Sequence, residues 1–258
     1  MAQRSMWKGM LQLGLVNVPV KMYAATEDKA GLKFNMLHRE CLNRISMQTT
    51  CPDHGPISRD DTVKGYEWTK GQYVVMEEAD FESVPVPSKS TVSIISFISG
   101  DLSPFARGYY YLGPEEVGAK AYALLNRAMA DRQVQALAKI CIRERETLCV
   151  VSPMGDGFLL TTLLWPDEIR DPREVTPEPK PVAQNELEMA YSLIDTMKGD
   201  FDPAQYKDEY REALVSIIDA KVAGTEPVAP APVKTSPAQD IMAVLAASVE
   251  AAKKGRSH

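Results

Sequence analysis

VNVPVKMY, residues 16–23, alternates with a period of two: Val16, Val18, Val20 and Met22 fall on one side, Asn17, Pro19, Lys21 and Tyr23 on the other. Successive side chains of a strand point to opposite faces, so this pattern predicts a half-buried β-strand rather than a helix, whose apolar positions recur every three to four residues. QYVVME (72–77) and TVSIISFI (91–98) follow suit. Glycine and proline separate these runs at Gly9, Gly14, Gly65, Gly71, Pro85, Pro87 and Gly100. Short strands punctuated this way predict a meander or barrel rather than alternating strands and long helices, hence a mainly β chain with added helices, α+β in class.

The next element is expected to be a helix opening at Gly113-Pro114-Glu115-Glu116, with proline at its first position, two acids at the positive end of its dipole, and Val117, Ala121, Leu125 and Ala128 on one face. AKICIRERETLCVVSP (138–153) and GFLLTTLLWP (157–166) read as two further strands joined through Pro153-Met154-Gly155-Asp156-Gly157, closing the β-rich portion near Trp165. A proline-rich, charged stretch runs from Asp167 to Pro181. Two helices follow: Leu187, Tyr191, Ile194 and Met197 share a face of one, and the other starts at Asp202-Pro203 and stops near Gly224. TEPVAPAPVKTSP (225–237) has the composition of an extended linker, and Ile241, Leu245 and Val249 predict a short amphipathic helix too small to fold alone. The expected divisions are a core over 1–181, a helical arm over 182–224, a linker over 225–236 and a partner-docking helix over 237–258.

A chain of 258 residues can bury a full core and carry an appendage. No apolar run approaches the roughly 18 residues of a membrane helix, and the N-terminus has no charged-then-apolar signal pattern. The expected location is therefore a reducing cytoplasm, where the four cysteines are thiols or metal ligands. The formal charge of −6 argues against a protein coated all over by nucleic acid, yet it says nothing of where Lys and Arg are gathered.

His38, Cys41, Cys51 and His54 form the pattern His-x2-Cys-x9-Cys-x2-His within residues 37–55. Imidazole and thiolate are the ligands tetrahedral zinc prefers, and four of them would leave no open position, so the pattern points to a structural zinc. The alternative is unrelated His and Cys residues in a surface hairpin, since the spacing departs from the commonest zinc fingers. Gly113 to Lys120 resembles a phosphate loop superficially, but Ala119 intervenes, no Ser or Thr follows Lys120, and two glutamates occupy the loop. Nothing fits a His-based acid–base mechanism or triad.

Lys64, Lys70, Lys89, Arg107, Lys120, Arg127, Arg132, Lys139, Arg143 and Arg145 lie in the β-rich core and its helix, with aromatic residues interleaved in WTKGQY and PFARGYYYLG. Arg143 and Arg145 stand two apart, so a strand would aim both at one face, as a phosphate-binding row or as a solvated face offset by Glu144. Tyr109 to Tyr111 fit packing better than base stacking.

WKGMLQLGLVNVPVKMYAAT, VKGYEWTKGQYVVMEEADF, PFARGYYYLGPEEVGAKAYALLNRAMADR and DEYREALVSIIDAKVAG resemble, in order, the bacterial Ku proteins, over roughly residues 5–224. The resemblance implies a Ku-type β-barrel core with an inserted bridge, a C-terminal helical arm and a short terminal helix. It further implies a homodimeric ring threaded by double-stranded DNA ends, sequence-blind contacts to phosphates through the basic residues named above other than Lys139, and recruitment of an ATP-dependent DNA ligase in non-homologous end joining near the bacterial nucleoid. It does not carry the His/Cys quartet, which rests on the residues themselves. Two competing expectations are a lysine-based lyase or zinc-dependent nucleic-acid-processing enzyme, and a zinc-stabilised scaffold that binds protein alone.

Overall fold

The computed structural model describes residues 4–27, 31–85, 90–143 and 145–225. In chain order the elements are β1 (Trp7–Leu13), β2 (Val16–Ala24), β3 (Thr50–Cys51), β4 (Gly55–Pro56), β5 (Lys64–Thr69), β6 (Gln72–Met76), α1 (Glu78–Ser83), β7 (Thr91–Ile98), β8 (Ala106–Pro114), α2 (Ala119–Arg132), β9 (Gln135–Ile142), β10 (Arg145–Met154), β11 (Gly157–Leu163), α3 (Gln184–Met197) and α4 (Glu209–Val222). The chain divides into two units between Asp171 and Pro172, inside the proline-rich stretch and ahead of the boundary expected at 181. The expected linker and terminal helix, 226–258, lie outside the described residues. Among the described residues no helix is long and apolar enough to cross a membrane.

Seven strands of the first unit close into a barrel in the order β1-β2-β8-β11-β10-β9-β7. Every pairing is antiparallel except the one that shuts the ring, where β1 and β7 run parallel with Met10 opposite Thr91 and Gln12 opposite Ser93. At that seam a Cβ on Gly9 would collide with the Ser90 carbonyl oxygen, which accepts from the Met10 amide at 3.0 Å, so only glycine admits β7 beside β1. The alternating residues of β2 point as predicted: Val18, Val20 and Met22 are buried, while Val16 at the strand's start is exposed. They pack with Leu11, Val92, Ile140, Val151, Phe158 and Leu160 into one core, and α2 adds Tyr122 and Met129 to it.

Four expectations are corrected. Pro114 does not open the helix; it ends β8 opposite Val20, where a missing N–H costs least, and α2 starts five residues later at Ala119 after a short 3-10 turn. Val117, expected on the buried face, is almost fully exposed in that turn. Residues 138–153 form parts of two strands rather than one: Ile142 pairs with Arg145, and Arg143 turns the chain at φ 51°. Finally, QYVVM is a strand without a covered face, since among the described residues none from 31 to 85 is buried.

In the second unit the Asp202 side chain caps only a 3-10 turn at Pro203–Gln205, and α4 has its own cap, with Asp208 accepting from the Arg211 amide at 2.9 Å. On α3, Tyr191, Ile194 and Met197 are exposed.

Candidate nucleic-acid interface

The described residues among the basic ones singled out in the sequence occupy five different places. Lys64 opens β5 and holds its ammonium 4.5 Å from the centre of the Phe81 ring, while Lys70 sits in the β5–β6 turn. Arg107 lies on β8, exposed, with a guanidinium nitrogen 3.3 Å from Glu168. Lys120, Arg127 and Arg132 stand on the exposed part of α2, and Arg127 pairs with Asp131 at 2.9 Å across one turn. Arg143 occupies the β9–β10 turn and Arg145 the first position of β10, so the two arginines do not share one strand face as IRERE implied. Lys139 on β9 is half-buried, 2.8 Å from Glu146 and 5.8 Å from the centre of the Trp165 ring. Lys89 lies outside the described residues.

Strand alternation arranges the outer face of β1-β2-β8. On β8, Leu112 turns inward, and Arg107, Tyr109 and Tyr111 point outward. Tyr23 on β2 stands directly across from Tyr111, and on the next pair Lys21 stands across from Lys8. The two lysines share one counter-ion: Glu115 lies 2.9 Å from the Lys8 ammonium and 3.6 Å from that of Lys21. The hydrogen bond from Lys8 holds the Glu115 carboxyl below the usual carboxylate range despite some opposing desolvation, with Lys21 adding to the effect. This face carries guanidinium and ammonium groups beside aromatic rings, with Lys8, Lys21 and Arg107 each paired with a carboxylate. Sequence reasoning missed Lys8 and Lys21. Lys21 stands in the polar half of the alternation at 16–23, but its adjacency to Lys8 appears only with the β1–β2 register.

The His/Cys quartet is built as two turns. His38 Nδ1 lies 3.2 Å from Cys41 Sγ, and His54 Nδ1 lies 3.5 Å from Cys51 Sγ. Among the described residues no three His, Cys, Asp or Glu side chains are gathered into one metal-holding group. The other two cysteines are buried in the barrel, where desolvation pushes the Cys149 thiol up to about 12.

The family model described as the Ku70/Ku80 beta-barrel domain matches residues 12–189. The chain belongs to the Ku family. A protein named "Non-homologous end joining protein Ku" from Symbiobacterium thermophilum is 39% identical over 268 residues, covering 99% of this chain and 65% of its own length. "Non-homologous end joining protein Ku 2" from Saccharopolyspora erythraea is 37% identical over 98% of this chain and 86% of its own. The Ku protein of Archaeoglobus fulgidus is 35% identical over 97% of this chain and its full length. The chain spans 65% of the length of the Symbiobacterium relative and of a Frankia casuarinae relative. The Ku resemblance of the sequence and its β-barrel expectation are thereby established.

Proposed function

We propose that this chain is a non-catalytic clamp for double-stranded DNA ends in non-homologous end joining. Two copies interlock through the 31–85 excursion into a ring, cationic residues contact the phosphates without reading sequence, and the ring recruits an ATP-dependent DNA ligase. The relatives are named for end joining, and the reading of a ring is carried by one observation: a 55-residue excursion in which no described residue is buried. Its β5–β6 hairpin exposes Tyr66, Trp68, Tyr73, Val74 and Val75 on both faces. A two-stranded hairpin is marginal by itself, and an apolar surface of this kind is expected to be covered by another chain.

Entry into a closed ring is possible only at a terminus, so geometry supplies the specificity that phosphate contacts lack. Such a protein acts in the cytoplasm, at the nucleoid. Ligase docking is assigned on sequence alone to 237–258, through Ile241, Leu245 and Val249.

The test is binding to linear and to covalently closed duplex of the same sequence at two salt concentrations. Linear DNA should bind far more tightly, with log K falling linearly against log salt. Equal binding to the closed circle rules the ring out. Removal of 237–258 should leave end binding intact and reduce stimulation of the ligase.

A further inference from the structure

We infer that the pocket between the β7–β8 loop and the outer face of β8, β11 and β10, walled by Tyr109, receives one unpaired nucleobase from the single-stranded overhang of a broken duplex, and that Tyr111 and Tyr23 extend it into a stacking platform. The inference rests on the DNA-end reading above and names a part of the ligand that a blunt duplex lacks.

Strand register makes the pocket. Val150 on β10 stands opposite Thr161 on β11, which stands opposite Tyr109 on β8. Their neighbours Val151 and Leu160 belong to the barrel core, so this cross-strand row faces outward. Val150 and Thr161 are buried all the same, Thr161 at 7% exposure, with Leu102 of the β7–β8 loop above them. The loop is pinned there: the Phe105 amide donates to the Leu102 carbonyl at 3.0 Å, and the Phe105 carbonyl accepts from the Leu164 amide at 2.8 Å. Between loop and sheet a cavity of about 170 Å3 remains. Pockets for drug-sized ligands run to about 300–1,000 Å3, so this one suits a single ring system rather than a whole nucleotide.

Among the described residues, the hydroxyls of Tyr109, Ser152 and Thr161 make no hydrogen bond, and all three side chains line the cavity. A hydroxyl as buried as that of Thr161 is unfavourable without a partner, so a ligand that pairs with it gains. Each hydroxyl donates or accepts as the ligand requires, and the Gln135 amide, only 3.5 Å from the Gly100 carbonyl, supplies both functions. At the rim the Asp101 carboxylate accepts from the Ser103 amide and hydroxyl at 2.8 Å each, which holds it below the usual carboxylate range and keeps it an acceptor. Among the described residues no Lys, Arg or His lines the cavity, so a phosphate would meet a negative charge and no cation. A free amine finds no buried counter-ion either, since Asp101 is exposed. What fits is a flat neutral ring with donors and acceptors along its edge and a face to lay against Tyr109, which is the chemistry of a nucleobase. Rotatable hydroxyls suit any of the four bases, in keeping with sequence-blind binding.

The aromatic row continues past the pocket. Tyr110 packs against the core, but Tyr109 and Tyr111 are 44% and 41% exposed on the outer face, so the packing role expected of the three tyrosines belongs to the middle one. Outward positions on an antiparallel strand recur about 6.8 Å apart, twice the roughly 3.4 Å between stacked bases, which leaves space for one base between the two rings. Tyr23 stands opposite Tyr111, and its ring edge lies against Gly113, where a Cβ would come within 3.3 Å of it. Aromatic rings on an open sheet face are a sequence-tolerant means of holding single strands.

The experiment titrates the full chain, by fluorescence anisotropy, with blunt linear duplex, the same duplex carrying a short thymidine overhang, and the covalently closed form. The overhang should tighten binding about tenfold over the blunt end, and the ratio should fall to near one in Tyr109→Ala. Thr161→Val, which keeps the side-chain shape, should lower the ratio several-fold and covers the case in which Tyr109→Ala disturbs the sheet. A 2-aminopurine placed in the overhang should be quenched by the parent and not by Tyr109→Ala. Equal affinity of the parent for blunt and overhanging ends, or a preference that survives in both variants, overturns the pocket; linear duplex still bound over closed duplex would then leave the clamp standing. An overhang preference lost in Tyr109→Ala, with blunt linear and closed duplex bound alike, keeps the pocket and removes the clamp. A shift of Tyr111→Ala toward protomer in sedimentation velocity, with the overhang ratio unchanged, assigns the face to a second copy and overturns the inference as well.

Discussion

Tyr122 and Phe158 meet edge to face, with ring centres 4.8 Å apart, and the Tyr122 hydroxyl accepts from the Phe158 amide at 2.8 Å while donating to the Leu112 carbonyl. One side chain on α2 therefore ties the helix to β8 and β11 and contributes to the barrel core. Asn126, one turn on, donates to the Gly157 carbonyl at 2.7 Å and extends the same seam.

Replacing Tyr122 by Phe keeps the ring contact and deletes both hydrogen bonds. Leaving two buried backbone groups without this partner should cost about 1–3 kcal/mol, and Tyr122→Ala about 3–5 kcal/mol through the cavity it opens. Urea denaturation followed by tryptophan fluorescence measures both. Equal stabilities of Tyr122→Phe and the parent would mean that water or the neighbouring strands replace the hydroxyl.

Alkaline pH should destabilise the barrel through Cys149. Its thiol, ordinarily near 9.0, is pushed up to about 12 by burial. A folded-state value above the unfolded one means that the stabilisation is complete below pH 9 and is lost as pH rises through the interval toward 12. The loss is on the order of 4 kcal/mol at the upper end. Tyr122, raised by burial in the same way, adds to the slope. The difference between the parent and Cys149→Ala isolates the thiol: denaturation midpoints of the two should converge as pH climbs above 9.

Opposite charge changes on the β1-β2-β8 face should move DNA binding in opposite directions. Arg107→Ala is expected to weaken duplex binding equally across sequences and to lower the salt slope by about 1. Glu115→Gln removes the carboxylate that occupies Lys8 and Lys21, and should tighten binding at low salt. Fluorescence anisotropy over a salt series reads both. If neither slope changes, this face does not touch DNA, and the β9–β10 turn with Arg143 and Arg145 becomes the surface to mutate.

The β5–β6 hairpin offers a test of assembly. Trp68 and Tyr73 are both exposed, at 63% each, although exposed aromatic pairs of this kind are the usual anchors of an interface. Trp68→Ser and Tyr73→Ser should each weaken self-association by roughly 2 kcal/mol or more, seen as a shift toward protomer in sedimentation velocity. Because the hairpin contributes nothing to the barrel core, thermal unfolding of the barrel should stay unchanged in both variants.

Much of the fold follows from short-range pattern. The alternation at 16–23 identified the core residues Val18, Val20 and Met22, and Gly14 and Gly71 marked turns between strands, whereas Gly9 and Gly65, expected at breaks, lie inside β1 and β5. Within each His/Cys pair the two side chains, three residues apart, are brought together by a local turn. These features depend on a residue's immediate neighbours, and side-chain direction along a strand or turn is fixed by the backbone geometry of a few residues.

Other features were decided only when distant segments met. Pro114 has the local chemistry of a helix start, but pairing with Val20 made it the end of a strand. IRERE has the spacing of a one-faced arginine row, but β10 folds back on β9 and spends Arg143 on the turn. QYVVM has the composition of a half-buried strand, and among the described residues no other layer covers it. Closure of the barrel by parallel β1 and β7, and the sharing of Glu115 between Lys8 and Lys21, join residues far apart in sequence. A local pattern sets which way a side chain points, whereas what it points at depends on loop closures and registers selected by the energy of the whole core.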